Sequence, residues 1–342
     1  MNNFLIIRLS SLGDIIHSLP AFSALRNHFP EANITWLVEE KGEEILKLVP
    51  GIDQVVVTRA KGLKLYSSSF REEISRIKSQ IAAEDLTAID FQGLIKSGLF
   101  AWFSKAEKRI GFHRKNLREP LASIFYTEKL GKFSENIHVI SKNLKLLELI
   151  GIKESKIDFP LRLSKDLLCS IRAKIAKIGY SQDKRLVVIN VGAAWESKRW
   201  FPDKWSRVIK KIDSEQIFPL LLWGNELEKD LAEEISETTG TALSPALSLT
   251  EVVALVHEAS LVVSGDTFAL QAACALSRPV VGLFGPTTPG RNGPFKDSDK
   301  VVFEELDCSH CYKRKCADLK CMKILKPERV AELCNQAMES KG

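Results

Sequence analysis

A chain of 342 residues is longer than one hydrophobic core usually organises, so two domains are expected. Its 45% hydrophobic and 27% charged content excludes a disordered chain, and no apolar run is long enough to span a bilayer. The net charge of +6 is a mild basic excess, which suits an acidic substrate or an anionic membrane surface without demanding either; no nucleic-acid partner is expected.

The first apolar run, Phe4-Leu5-Ile6-Ile7, is closed at once by Arg8, too soon for a secretory signal. A cytosolic chain, at most resting on a membrane surface, is therefore expected. Residues 4–9 read as a strand, and Ser10-Ser11-Leu12-Gly13-Asp14 as the turn after it. Ile15, Ile16, Leu19, Phe22 and Leu25 then mark one face of a helix that Pro20 should kink or break. Strands are expected at 34–38, 54–57 and 86–90, alternating with helices at 43–48 and 74–81. That alternation signals a parallel sheet covered on both faces. Asp90 to Gly98 opens another helix. Residues 105–118 are rich in Lys and Arg and read as a solvated positive loop, and the helix 136–150 ends at Gly151.

Residues 153–183 form a seam, after which the pattern restarts. Strands are expected at 186–191 and 218–223, with the aromatic and basic stretch Trp195 to Trp205 between them. Ser248-Leu249-Thr250-Glu251 is a capping box for the helix running to Glu258. Leu261 to Gly265 is a short β-branched run, and Phe268, Ala269, Ala272, Ala273 and Leu276 keep helical spacing. Arg278-Pro279 stops that helix before a second buried strand from Val280. This strand–turn–helix–strand unit presents a helix start, where amide donors and the positive dipole end favour phosphate. The competing view is an ordinary βαβ unit in which Asp266 or Thr267 merely caps. A last helix begins at Lys326-Pro327-Glu328, with Val330, Leu333, Cys334, Ala337 and Met338 on one face. The whole is an α/β chain of two similar halves, whose ligands should sit past the carboxyl ends of the strands, in the cleft between the halves.

Several motifs stand in the order found in one known family. They are Arg8 to Pro20, Asp90 to Ser97, Arg118 to Ser123, Trp223-Gly224-Asn225-Glu226, Ser264-Gly265-Asp266-Thr267 and Phe284-Gly285-Pro286-Thr287. Over nearly its whole length the chain resembles the family 9 glycosyltransferases, the lipopolysaccharide heptosyltransferases, and among them the heptosyltransferase I type. The resemblance implies a GT-B fold of two Rossmann-like domains facing a central cleft. Residues 1–165 would form the acceptor domain, 166–325 the nucleotide-sugar donor domain, and 326–342 a helix packing back on the first. It implies an ADP-heptose donor, a Kdo-lipid A acceptor, inversion at the sugar carbon, no metal or other cofactor, and a cytoplasmic place peripheral to the inner membrane. A later core acceptor, as in the heptosyltransferase II type, and a sugar-nucleotide epimerase of the same fold are the alternatives, with a non-transferring binding protein beyond them.

Such a transfer needs a base for the acceptor hydroxyl and stabilisation of a departing diphosphate. Asp14 is the expected base. By position alone it reads first as a first-turn carboxylate complementing the helix dipole, and the resemblance reverses this in favour of catalysis. Lys198, a compact charge with three donors, is the candidate for the leaving phosphate; otherwise its stem packs on a neighbouring tryptophan. On the donor side stand Gly192, Ser264, Gly265, Asp266, Thr267 and Gln271. Glu226 is placed to accept ribose hydroxyls, with Glu228 as rival. On the acceptor side the resemblance places Ser11, Gly13, Arg59, Lys61, Lys64, Gln92, Arg118, His138 and Lys142, whose cations would meet carboxylates and phosphates. Phe268 and Gln271 depart from the Gly and His that many relatives carry there, so a differently tuned donor pocket is expected.

Seven cysteines are present. Cys169, Cys274 and Cys334 read as packing residues. Cys308, Cys311, Cys316 and Cys321 lie close in sequence, with spacing imperfect for a zinc ribbon. Free or redox-paired thiols are expected there before a structural metal.

Overall fold

The structure, a computed structural model, describes residues 2–339 apart from 61, 63, 65, 66, 82, 83, 135, 155, 213 and 297. Lys61 thus lies outside the described residues. The chain divides into two compact units, Met1–Arg162 and Leu163–Gly342.

The first unit holds β1 (Asn3–Ile7), β2 (Asn33–Glu39), β3 (Gln54–Thr58), β4 (Leu86–Asp90), β5 (Lys108–Gly111) and β6 (Glu128–Lys129). They form one sheet in the order β3-β2-β1-β4-β5-β6, and each neighbouring pair runs parallel. The second unit holds β7 (Arg185–Asn190), β8 (Ile217–Leu222), β9 (Ala242–Leu243), β10 (Leu261–Gly265), β11 (Val280–Leu283) and β12 (Lys300–Val302). Their order, β12-β11-β10-β7-β8-β9, repeats the first pattern, again parallel throughout. In both units the first and fourth strands are neighbours, and there the winding reverses. Crossover helices leave on opposite sides at that point and open a crevice above the strand ends.

Sequence explains the central strands well. Leu5, Ile6 and Ile7 of β1 and Leu261, Val262 and Val263 of β10 are fully buried. Strands covered on both faces read as unbroken apolar runs. The short outer strands β5, β6, β9 and β12 have no such run; β5 lies inside the basic stretch expected to be a loop. Only sheet pairing makes them strands.

The helix Leu12–His28 continues through Pro20 without a break. Its residues from Ile15 to Leu25 are all buried, and that packing outweighs the lost backbone bond. The last helix, Pro327–Glu339, packs its apolar face within the second unit. Val330, Leu333, Cys334, Ala337 and Met338 join the core of the second, beside Trp205, Val208 and Val281. The helix Pro202–Ile212 and strands β10, β11 and β12 are its neighbours. The capping box at Ser248 and the left-handed Gly151 (φ +83°) that ends the 136–150 segment are as expected.

Candidate functional site

In the first unit the site begins where β1 ends. Arg8 is 6% exposed although it carries a full charge. It reaches Asp14 with an Nη2–Oδ1 distance of 2.8 Å and donates its other terminal nitrogen to the Phe91 carbonyl. Asp14 is the third residue of the helix Leu12–His28, and its Oδ2 accepts from the Ser11 amide at 3.2 Å and the Ser11 hydroxyl at 2.9 Å. Burial pushes the Asp14 carboxyl up, but Arg8, His17 and the two Ser11 bonds outweigh it and hold it at about 2. Its side chain keeps 36% exposure, so a charged, accessible carboxylate faces out of the turn.

The neighbouring strand β4 supplies the other wall. Gln92 Oε1 accepts from the amides of Leu9 (3.1 Å) and Ser10 (3.2 Å), so this expected acceptor contact holds the β1 turn in shape. Asp90 is buried and accepts from the amides of Gln92 and Gly93 and from the Tyr126 hydroxyl at 2.7 Å. Burial pushes its carboxyl up against those bonds. Gly93 turns the chain with φ +71°, and a Cβ there would stand 2.7 Å from Leu117.

The expected acceptor cations fall into separate groups. His138 caps the helix Val139–Leu146 by accepting from the Ile140 amide, and its ring meets the His17 ring edge-on at 5.6 Å. That brings it to the helix bearing Asp14. Lys142 lies over the Phe112 ring at 4.3 Å. Arg59 follows β3, exposed, 3.3 Å from Glu40; Lys64 and Arg118 are exposed. Arg59, like Arg8, directly follows the carboxyl end of a parallel strand, while Arg118 stands between the turns Arg114–Asn116 and Pro120–Phe125. Gly13 lies in the first turn of the Asp14 helix. Arg8 was not singled out from sequence; its signal is a charge set directly behind an apolar strand.

In the second unit the corresponding strand ends converge more tightly. Asn190, the last residue of β7, donates from Nδ2 to Gly192 O (3.1 Å), Ser264 Oγ (3.0 Å) and Thr267 Oγ1 (3.0 Å). It ties the β7 loop to the β10 loop. Thr267 is the residue before the helix Phe268–Ala275, but its hydroxyl makes no cap bond because it is held by Ser264 and Asn190. The first-turn amides, ahead of the first helical bond from Gln271 N to Thr267 O, are thereby left for another acceptor.

Asp266 is the hub. Its Oδ2 takes Lys198 Nζ at 2.7 Å and Thr287 Oγ1 at 2.8 Å, while Gln271 Nε2 approaches Oδ1 at 3.4 Å. Lys198 also donates to the Asp266 carbonyl and stands 4.4 Å over the Trp195 ring. Both ionic side chains are largely buried, at 13% and 7% exposure. The Lys198 ammonium is thus oriented by Asp266 on one side and by the face of the Trp195 ring on the other. Gln271 also donates to Asn292 O at 2.7 Å, bracing the hub.

The two glutamates separate. Glu226, first in the helix Glu226–Thr239, is exposed. Glu228 is buried, its Oε2 accepts from Gly224 N at 2.9 Å, and a Cβ on Gly192 would stand 2.2 Å from its carboxyl carbon. Gly192 must therefore be glycine to admit Glu228, and the rival holds the loops while Glu226 stays free to meet a ligand. Asn190 and Asn292 are not marked as site residues in the sequence, and Thr287 stands there only as the end of a motif. A polar residue ending the apolar run of β7 is the one visible sign of Asn190. Among the described residues no group of three or more His, Cys, Asp or Glu is arranged to hold a metal. Cys308 and Cys311 are exposed and free, and Cys316 is half-buried and free.

The family model for glycosyltransferase family 9 (heptosyltransferase) matches residues 74–322. Lipopolysaccharide heptosyltransferase 1 of Campylobacter coli is 30% identical, covering 87% of this chain and 88% of its own. The protein of the same name from Pseudomonas aeruginosa is 28% identical, over 96% of this chain and 95% of its own. The solved Escherichia coli heptosyltransferase WaaC with ADP superposes with a TM-score of 0.77 at 23% identity, covering 98% of this chain and 99% of its own. That likeness places both six-stranded units in the GT-B fold.

Proposed function

The chain belongs to glycosyltransferase family 9 and is a glycosyltransferase, and from that premise we propose that it moves L-glycero-D-manno-heptose from ADP-heptose to the Kdo of Kdo-lipid A, with inversion. The observation that carries this reading is the pair of oriented charges, one at each winding reversal: Asp14 held by Arg8 and Ser11, and Lys198 held by Asp266. The relatives named lipopolysaccharide heptosyltransferase 1 supply the sugar and the lipid acceptor class.

The diphosphate of the donor lies at the start of the helix Phe268–Ala275, where amides and Lys198 meet its charge. Glu226 accepts from the ribose. The acceptor hydroxyl donates to Asp14. As the bond from the sugar carbon to phosphate oxygen breaks, its electron pair leaves with ADP, and the acceptor oxygen attacks the opposite face. The hydroxyl proton passes to Asp14. A carboxyl held at about 2 is a weak base. It therefore takes the proton late, when the new bond has made the hydroxyl acidic, and its main early role is orientation. Arg59, Lys64, Arg118, His138 and Lys142 are the candidates for the anionic groups of the acceptor, to which Lys61 is added from sequence.

Acceptor-dependent release of ADP tests the proposal. Asp14→Asn should keep donor affinity and lose turnover by a factor of about 100 or more. Turnover of that variant near the wild-type rate would remove Asp14 as base. A screen of ADP-, GDP- and UDP-sugars tests the donor, and strong preference for a UDP-sugar would overturn it.

A further inference from the structure

The first unit carries an apolar patch that the transfer reaction does not use. Trp102 is 50% exposed, Leu121 66% and Ile124 68%. They lie on two elements that pack together, the helix Ile95–Phe103 and the 3-10 helix Pro120–Phe125. Gly98 allows the close approach: a Cβ there would stand 2.7 Å from the Phe125 ring and 3.2 Å from Ala122 O. The Trp102 ring in turn lies 6.4 Å from that of Phe125. Arg109 fastens the turn to β5 by donating to the Phe125 carbonyl at 2.8 Å. The patch is therefore built and rigid, with its large side chains turned outward.

Its surroundings are cationic. The exposed cations Lys105, Lys108, Arg114, Lys115 and Arg118 outnumber the acids Glu107 and Glu119, the second occupied by the Ile95 amide; Lys108 stands 4.0 Å from Glu128. The Lys105 amide bonds the Trp102 carbonyl, and the turn Arg114–Asn116 packs on Pro120–Phe125. A second copy docked symmetrically on this face would set like charges against each other. An anionic bilayer satisfies both parts: the tryptophan and branched side chains enter the headgroup boundary, and the cations meet lipid phosphates.

We propose that the face formed by Trp102, Leu121 and Ile124, ringed by Lys105, Lys115 and their neighbours, docks on an anionic membrane surface. This deepens the assignment of a lipid acceptor under Proposed function, by naming how the enzyme reaches the membrane that holds it.

The test is flotation of the full chain with two kinds of vesicle, one of phosphatidylethanolamine and phosphatidylglycerol in equal parts, the other of phosphatidylcholine alone. Wild type should partition onto the anionic vesicles at least about tenfold better, and added salt should weaken it. Leu121→Ser with Ile124→Ser, and separately Lys105→Glu with Lys115→Glu, should each lower that partition by about tenfold or more, with unchanged thermal unfolding. Equal partition of wild type and both variants, or no wild-type binding to anionic vesicles, overturns the proposal. So does a wild-type dimer in sedimentation that the Leu121→Ser, Ile124→Ser variant makes monomeric. ADP release with a water-soluble acceptor fragment is measured alongside. Its absence in wild type would sink the assigned reaction and leave the vesicle result standing.

Discussion

Asp14 shows how one residue can be legible in kind and illegible in state. Its place after a glycine, at the mouth of a strand, marks it in the sequence. Its partner Arg8 and its depressed value of about 2 require coordinates. An Asp held below its ordinary 3.8 contributes stability that is fully present above that value and lost as pH falls through about 2. The side chain is 36% exposed, so screening reduces the contribution to roughly 1 kcal/mol. Asp14→Asn should accordingly be less stable than wild type at neutral pH by about that amount, and the gap should close between pH 4 and 2, as read by denaturant unfolding. In the pH profile of kcat/KM, Asp14 should produce no acidic limb above about pH 4. A limb centred near 6 would assign the proton to another group. The ion pair of Lys198 and Asp266 is buried more deeply, so Lys198→Met leaves an uncompensated carboxylate and should cost about 3 kcal/mol as well as weaken ADP binding. Adding Asp266→Asn should restore much of the stability but not the affinity. Calorimetry with ADP and thermal unfolding of both variants decide this, and ADP affinity unchanged in Lys198→Met would contradict its role.

At the scale of elements, the loops after β7, β8 and β10 are one device. Asn190 binds the first to the third, and Glu228 packs against Gly192 of the first while accepting from the Gly224 amide of the second. Gly192→Ala would drive a methyl into the Glu228 carboxylate, which has no free space to retreat because it is buried and bonded. We expect a loss of about 1–3 kcal/mol of stability and weaker ADP binding, partly relieved by Glu228→Ala. Full activity in Gly192→Ala alone would show that the loop tolerates a Cβ. The same logic applies to the β4 turn of the first unit, where the Tyr126 hydroxyl serves the buried Asp90. Tyr126→Phe should cost about 1–2 kcal/mol in unfolding experiments, leaving Asp90 one donor short.

The molecule as a whole consists of two units with separate cores. All the expected donor-side residues, with Asn190, Thr287 and the hub, belong to Leu163–Gly342. Expressed alone, residues 163–342 should bind ADP within about threefold of the full chain while supporting no transfer, because the proposed base is left behind. Calorimetry on that fragment checks it, and loss of binding in a folded fragment would show that the first unit contributes to the donor site. The final helix should stay with this fragment, since its apolar face belongs to the second core.

The amino-acid order by itself determined the central strands, most of the helices, their two-fold repetition and the turns at the strand ends. These are local: an apolar run, a capping serine or a glycine at a turn acts on its immediate neighbours, and the alternation of strand and helix specifies a parallel sheet. Tertiary structure alone decided the rest. It made strands of β5, β6, β9 and β12, carried a helix through Pro20 and buried the last helix in the second core. It also chose Glu228 over Glu226 as the loop brace and gave Asp14 and Asp266 their partners. Each of these outcomes depends on groups distant in the chain that meet only when the sheets assemble, and no short window of sequence contains both members of such a pair.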